Sequence, residues 1–283
     1  MLRSSVRVLD QRDLDAALAV CEGDVAGNLM VAARLYSHGI GTRAGGGELW
    51  GFHEGGQLTA LCWSGANLIP VGAHGDALEA FAAKARRAGR QCSSIVGPAD
   101  QVLPLWSRLE RLWGRPREVR AEQPLMSIGS DPLLAHDPCV RRSRIDELGL
   151  VIPACVAMFT EEVGYSPVAA DGGAVYRAQV SGLVAAGRSF VRVESPGGRP
   201  EVLFKAELGS VTPRGVQVQG VWVAPAYRGR GLAAPAMAAV VRIVRAEVAP
   251  LVSLYVNDFN TRATRAYERV GFTTVGTFAT VLF

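Results

Sequence analysis

Two kinds of apolar spacing alternate along the chain, and their order repeats. Alternation at every second residue predicts strands, and recurrence at three and four residues predicts helices. In the first half, "VRVLD" (Val6 to Asp10) predicts a short strand, and a polar-start helix follows from Asp13 towards Cys21. "ELWGFHEGGQLTALCW" predicts a hairpin turned at Glu54-Gly55-Gly56, because glycines accept the positive φ of a tight turn. "NLIPVG" predicts a strand. "DALEAFAAKARRAG" predicts an amphipathic helix, with Asp76 as N-cap and Gly89 as its stop. "CSSIVG" predicts another strand. "ADQVLPLWSRLERLWG" predicts a helix interrupted at Pro104, where a backbone donor is missing.

The prolines and charges of "SDPLLAHDPCVRRSR" predict a linker over 131–140, between a first domain (1–130) and a second (141–283). "IDELGLVIPACVAMFTEEVG" then predicts a helix with a break at Pro153, and "GAVYRAQVSGLVAAG" a second helix. "SFVRVESPGGRPEVLFKAEL" predicts a hairpin turned at Pro196-Gly197-Gly198. "GVQVQGVWV" predicts a long strand, "LVSLYVN" another, "NTRATRAYERVG" a helix, and "FTTVGTFATVLF" two closing strands. Both halves therefore run helix, hairpin, strand, helix, strand, helix. The expected fold is α+β, an α/β sandwich built twice, each copy a mixed, mostly antiparallel sheet flanked by helices.

Composition narrows the function. A hydrophobic fraction of 49% with 20% charged residues suits a globular chain with a real core. The net charge of +4 is mild and scattered, which fits an anionic ligand and argues against nucleic acid. Arginine dominates the cations; lysine occurs only at Lys84 and Lys205. Five cysteines (Cys21, Cys62, Cys92, Cys139, Cys155) show no paired metal spacing, so free thiols and a protein without a metal are expected. "MLRSSVRVLD" lacks an apolar signal core, and no apolar run approaches the roughly 20 residues a membrane span needs. A cytoplasmic protein without membrane or nucleic-acid partners is expected.

The most informative stretch is "VWVAPAYRGRGLAAPAMAAVVRIV", Val221 to Val244. An apolar strand runs through a proline turn and two Arg-Gly pairs into a helix. A helix start offers unpaired N–H groups and the positive end of its dipole. Glycine lets a ligand approach backbone closely, and arginine adds forked donors, so the turn suits a diphosphate. A plain strand-to-helix turn with solvated arginines is the other reading. Gly229-Arg230-Gly231-Leu232-Ala233-Ala234 also satisfies a dinucleotide-binding pattern, but the flanking hairpins speak for an antiparallel sheet rather than repeated parallel units. A phosphate loop is excluded, because no Lys-Ser or Lys-Thr pair follows the glycines.

Read together with "VNDFNTRATRAYERVGF" (Val256 to Phe272), the turn resembles the GNAT superfamily of N-acetyltransferases. The resemblance runs from about Gly215 to Phe283 and extends back to about Arg141. Arg228, Gly231 and Ala233 fill the family's pyrophosphate signature, with Gly229, Arg230 and Leu232 between them. It implies acetyl-CoA as cosubstrate, with no metal. It further implies that the strand over Val216–Val223 splays from its neighbour near Leu251–Val256. Val221 and Val223 then offer backbone to the pantetheine arm, and Trp222, in the same segment, points to the other face. Asn257, Asn260 and the small Ala263 are implied around that arm. Tyr267, on one helical face with Asn260 and Ala263, is implied as the acid that protonates the leaving thiol. The family has no fixed position for the base; Glu161 is taken as the catalytic carboxylate, with Glu162, Glu207, Gln219 and the Phe283 carboxylate as further candidates.

In the first half "PVGAHGDALEA" has no arginine where the second half has its turn, and Ser107 or Leu109 stands where the second half has Tyr267. The whole chain is similar to tandem acetyltransferases of actinobacterial type, the group that includes mycothiol synthase, with a degenerate amino-terminal copy. The implied activity is direct acetyl transfer to an amine, either a small molecule or a protein amino group. Another acyl-CoA donor, or a non-catalytic acyl-CoA sensor, stays open, as do the acceptor and the oligomeric state.

Overall fold

The computed structural model describes residues 5–41, 46–169 and 172–283. The first four residues, where the segment read for an export signal begins, lie outside them. The chain forms two compact units: Met1–Met126 with Tyr255–Phe259 and Thr274–Phe283, and Ser127–Leu254 with Asn260–Thr273.

The first unit runs β1 (Ser5–Val8), α1 (Leu14–Glu22), α2 (Val25–His38), β2 (Gly47–Glu54), β3 (Gln57–Gly65), β4 (Asn67–Val71), α3 (Gly75–Ala88), β5 (Ser94–Pro98), α4 (Ala99–Trp113) and β6 (Glu118–Ile128). The second runs β7 (Arg141–Arg142), α5 (Leu148–Val163), α6 (Ala174–Ala185), β8 (Ser189–Glu194), β9 (Glu201–Val211), β10 (Gly215–Val223), α7 (Ala233–Glu247), β11 (Leu251–Tyr255) and α8 (Thr261–Val270), and the chain closes with β12 (Thr273–Leu282). The same succession of elements thus occurs twice. Strand order in the first unit is β1-β2-β3-β4-β5-β12-β6, and in the second β11-β10-β9-β8-β7. The pairings β1–β2, β2–β3, β3–β4, β5–β12, β7–β8, β8–β9 and β9–β10 are antiparallel, and β4–β5 and β10–β11 are parallel. The sheets are therefore mixed and mostly antiparallel, as expected.

Several local expectations hold and several change. The β2–β3 turn sits at Gly55 and Gly56, whose φ values of 61° and 85° are those a tight hairpin turn demands. Helix α2 was not expected from the periodicity; Asp24 caps it by accepting from Gly27 N at 2.9 Å, and Leu29, Ala32 and Leu35 bury its inner face. Strand β6 was also missed, because its first half is largely polar. Asp76 does not cap α3: the helix starts at Gly75 behind His74, and Asp76 lies in its first turn. Pro104 and Pro153 lie inside continuous helices. For α4, burial of Val102, Leu105, Trp106 and Leu109 outweighs the single donor that proline removes, since each fully buried aliphatic side chain contributes roughly 1.5–3 kcal/mol.

The closing segment is one strand rather than two, because Gly276 alone supplies no turn. That strand enters the first unit, pairing with β5 from Phe278↔Pro98 to Leu282↔Ser94. The expected linker is anchored to the second unit: Leu133 N donates to Val270 O at 2.9 Å, and Asp137 N to Pro235 O at 3.0 Å. Among the described residues, no helix is long and apolar enough to cross a membrane.

Candidate active site

In the second unit, β10 and β11 pair only over Gly215↔Leu251, Val216↔Val252 and Gln217↔Ser253. Beyond Gln217, no described residue of β11 pairs with β10, so the strands part. On its other edge β10 stays paired to β9, but the register slips: Gln219 faces Glu207 while Trp222 faces Lys205, leaving one extra residue on β10. Gly220 carries that bulge at φ 58°. Val221, Trp222 and Val223 are half-buried beside the gap. Strands parted in this way present backbone donors and acceptors to which an extended ligand can pair.

The arginine–glycine turn follows at once. Gly229 and Gly231 have φ of 76° and 77°, a conformation side-chain-bearing residues rarely adopt, and nothing lies within 4 Å of a Cβ built on either. Leu232 precedes α7 without a side-chain cap, and no acidic residue occupies the first turn. The first N–H groups of α7 are therefore without a side-chain cap and have the helix dipole behind them, the physical requirement for holding an anion. The corresponding helix of the first unit, α3, has the exposed Asp76 in its first turn, which repels one.

Arg228 is held in place from two sides. Its Nε donates to Val223 O at 2.9 Å and its Nη2 to Glu161 Oε2 at 2.6 Å, while Trp222 Nε1 donates to Glu161 Oε1 at 3.2 Å. Both Glu161 oxygens are thus committed to the turn side of the site, whereas this carboxylate was expected beside the amine. Trp222 packs against the Val151–Cys155–Val180 cluster, on the face opposite the one Val221 and Val223 serve. The Arg230 guanidinium lies over the Tyr227 ring at 5.2 Å.

Asn260 is the N-cap of α8: its Oδ1 accepts from Ala263 N at 3.2 Å. Asn257 Oδ1 accepts from Gln123 Nε2 at 2.8 Å, and Gln123 Oε1 in turn accepts from Thr280 Oγ1 at 2.6 Å. Tyr267 is buried, with its ring 5.9 Å from Phe272. Burial, and secondarily the charge of Glu162, pushes its phenol above the ordinary range, so it keeps its proton. Among the described residues its hydroxyl carries no hydrogen bond. In the first unit, Ser107 Oγ donates to Pro104 O and Leu109 is buried in the core, so α4 offers no phenol here. Phe283 packs its ring against Trp106 and Trp113 in that unit.

Glu207, one of the candidate bases, stands in a buried cluster that the sequence does not predict. On β9, Lys205 is fully buried and its Nζ lies 2.6 Å from Glu207 Oε1. Cys155 Sγ donates to the same oxygen at 3.2 Å, and the Tyr176 hydroxyl donates to Cys155 O at 2.9 Å. The available signal was a charged pair two residues apart inside the apolar run "EVLFKAEL".

Residues 183–272 match the model of the acetyltransferase (GNAT) family, and residues 47–151 that of DUF4081, a domain of unknown function. A GCN5-related N-acetyltransferase from Sphaerobacter thermophilus is similar along 100% of this chain and 97% of its own, at TM-score 0.60 and 16% identity. A GNAT-family acetyltransferase from Colwellia psychrerythraea covers 99% of both chains at TM-score 0.58 and 12% identity. A tandem GNAT protein from the clavulanic acid biosynthesis pathway covers 99% of this chain and 98% of its own at TM-score 0.58 and 14% identity. At such identities the likeness is one of fold. No curated protein matches the chain, so the comparison with mycothiol synthase gains no support. The parted strands and the uncapped helix behind its Arg-Gly turn thus lie within the residues that match the acetyltransferase (GNAT) family, and the chain as a whole has the fold of a tandem GNAT protein.

Proposed function

We propose that the second unit transfers an acetyl group from acetyl-CoA directly to an amine, borne by a small molecule or by a protein. The observation that carries this is the gap between β10 and β11 opening beside the uncapped start of α7. The residues fit the cosubstrate. Backbone N–H groups from Gly229 to Ala233 and the Arg228 and Arg230 guanidinia suit the diphosphate, and the free edge at Val221–Val223 suits the amide-bearing arm. Asn260 and Ala263, at the start of α8, suit the opposite side of that arm. Acetyl-CoA supplies the activated acyl group. Tyr267, protonated and without a partner, donates to the sulfur as it leaves. The first unit, with Asp76 in place of the arginines, holds no cofactor in this reading. The protein works in the cytoplasm, in keeping with five free cysteines.

The test is a thiol-release assay with acetyl-CoA against a panel of small amines and amino-terminal peptides. Release with at least one acceptor is expected; CoA binding with no release from any amine would leave a sensor instead. Replacing Arg228 and Arg230 together by Ala should weaken acetyl-CoA binding by roughly tenfold to a hundredfold, since a charge-assisted hydrogen bond contributes about 1.5–3 kcal/mol and exposure reduces that. Unchanged affinity in calorimetry would remove both from the site. Glu161 holds Arg228 until the diphosphate takes its place. Glu161→Gln should therefore tighten acetyl-CoA binding about two- to fivefold, the size of an exposed ion pair. Weaker binding would show that Glu161 orders the arginine rather than competing for it.

A further inference from the structure

Lys205 and Glu207 stand two residues apart on β9, so both side chains lie on one face of the sheet. Strand β10 crosses them at its bulge. A Cβ built on Gly220 would lie 3.2 Å from Lys205 Nζ, 3.3 Å from Glu207 Oε2 and 3.1 Å from Met158 Cε. The ion pair therefore sits directly beneath the backbone at the point where β10 has left β11. The two oxygens of Glu207 differ. Oε1 is engaged by Lys205 and by Cys155, whereas Oε2 carries no hydrogen bond among the described residues and faces the bulge.

An ion pair is an expensive way to fill a core. Apolar residues of similar volume are commonly as stable or better, and the surrounding Val151, Ala154, Val180, Val191 and Val202 would accommodate them. The other titratable groups facing Glu207 keep their protons. The Cys155 thiol on α5 is pushed up to about 12, mainly by burial, and burial also raises the Tyr176 phenol on α6. Gln219, across the ladder on β10, and Ser189, across it on β8, are neutral. Glu207 is thus the group at this position able to receive a proton.

We propose that Glu207 takes the proton from the acceptor's ammonium through Oε2, with Lys205 and Cys155 as the residues that position its carboxylate. The inference rests on the acetyl-transfer reading above. In the step, an N–H bond of the ammonium breaks, its electron pair stays on nitrogen and the proton goes to Oε2. The neutral amine then forms the N–C bond while the C–S bond breaks. Tyr267 gives its proton to the sulfur and is reprotonated by the second proton from nitrogen, giving amide and free thiol, and Glu207 returns its proton to water.

The test is Glu207→Gln, which keeps shape and removes the base. With an acceptor identified by thiol release, kcat/KM should fall about 10²-fold where the amine is protonated, and the deficit should shrink as pH rises through the amine's own pKa. Calorimetry should give an acetyl-CoA affinity within about twofold of wild type, and weaker binding of the ammonium form of that acceptor to the CoA-loaded protein. Glu207→Asp, which retains the charge but withdraws it, should lose less and keep a wild-type-shaped pH profile; it carries the test if the Gln variant fails to fold. A Gln variant within about threefold of wild type at every pH, or a loss equal at every pH, overturns the assignment while leaving acetyl transfer intact. A wild-type protein that releases thiol with no amine overturns both.

Discussion

Lys205→Met is expected to lower folding stability by about 3–5 kcal/mol, because it strands the Glu207 carboxylate in the core without its counter-charge. Lys205 has no exposed surface and Glu207 almost none, so solvent offers little relief. Methionine fills the volume of the lysine stem, so the loss reads the missing charge rather than a cavity. In a urea titration this is a large fraction of the total for a chain of this size, and the thermal midpoint should fall by roughly 10 °C. The double variant Lys205→Met with Glu207→Leu should recover at least half of the loss, since no charge then remains buried. A single variant as stable as wild type would mean that Glu207 finds another partner or water. A double variant no better than the single would show that packing, not charge, carries the effect.

Tyr267→Phe should reduce kcat about 10²-fold, the scale of a positioned proton donor, while leaving acetyl-CoA affinity within about twofold. Phenylalanine keeps the ring contact with Phe272, so the fold at the end of α8 is preserved. Only the hydroxyl is lost, and in the proposed arrangement it meets the sulfur rather than the anchoring diphosphate. Burial raises the phenol, so its deprotonation moves to higher pH than for an ordinary tyrosine. The wild-type rate should therefore show no alkaline limb from Tyr267 near pH ~10, where a free phenol titrates. Equal turnover in the two proteins would remove the residue from the reaction.

Much of the fold was legible because the signals are local. Gly55-Gly56, Gly197-Gly198, Gly229 and Gly231 all adopt positive φ where turns were expected. The apolar alternation of β9 and β10 and the periodicity of α3 and α7 marked those elements. Elements whose signals are mixed went unread. Helix α2 interleaves Gly27 and Asn28 with its apolar face, although Asp24 and Gly39 frame it as cap and stop. The prolines misled in the opposite direction: a single lost donor is a small term beside the packing of a whole helix face.

The site divides along the same line. The Arg-Gly turn and the start of α7 follow from residues adjacent in the chain, whose backbone preferences and missing caps act wherever that segment is placed. The chain order alone therefore determined where an anion could be held. The course of β11 away from β10, the commitment of Glu161 to Arg228, and the meeting of Lys205 and Glu207 with Cys155 involve partners tens of residues apart. Those are decided only when helices and strands close over one another. Burial and counter-charge are properties of the packed neighbourhood, and no single segment carries them.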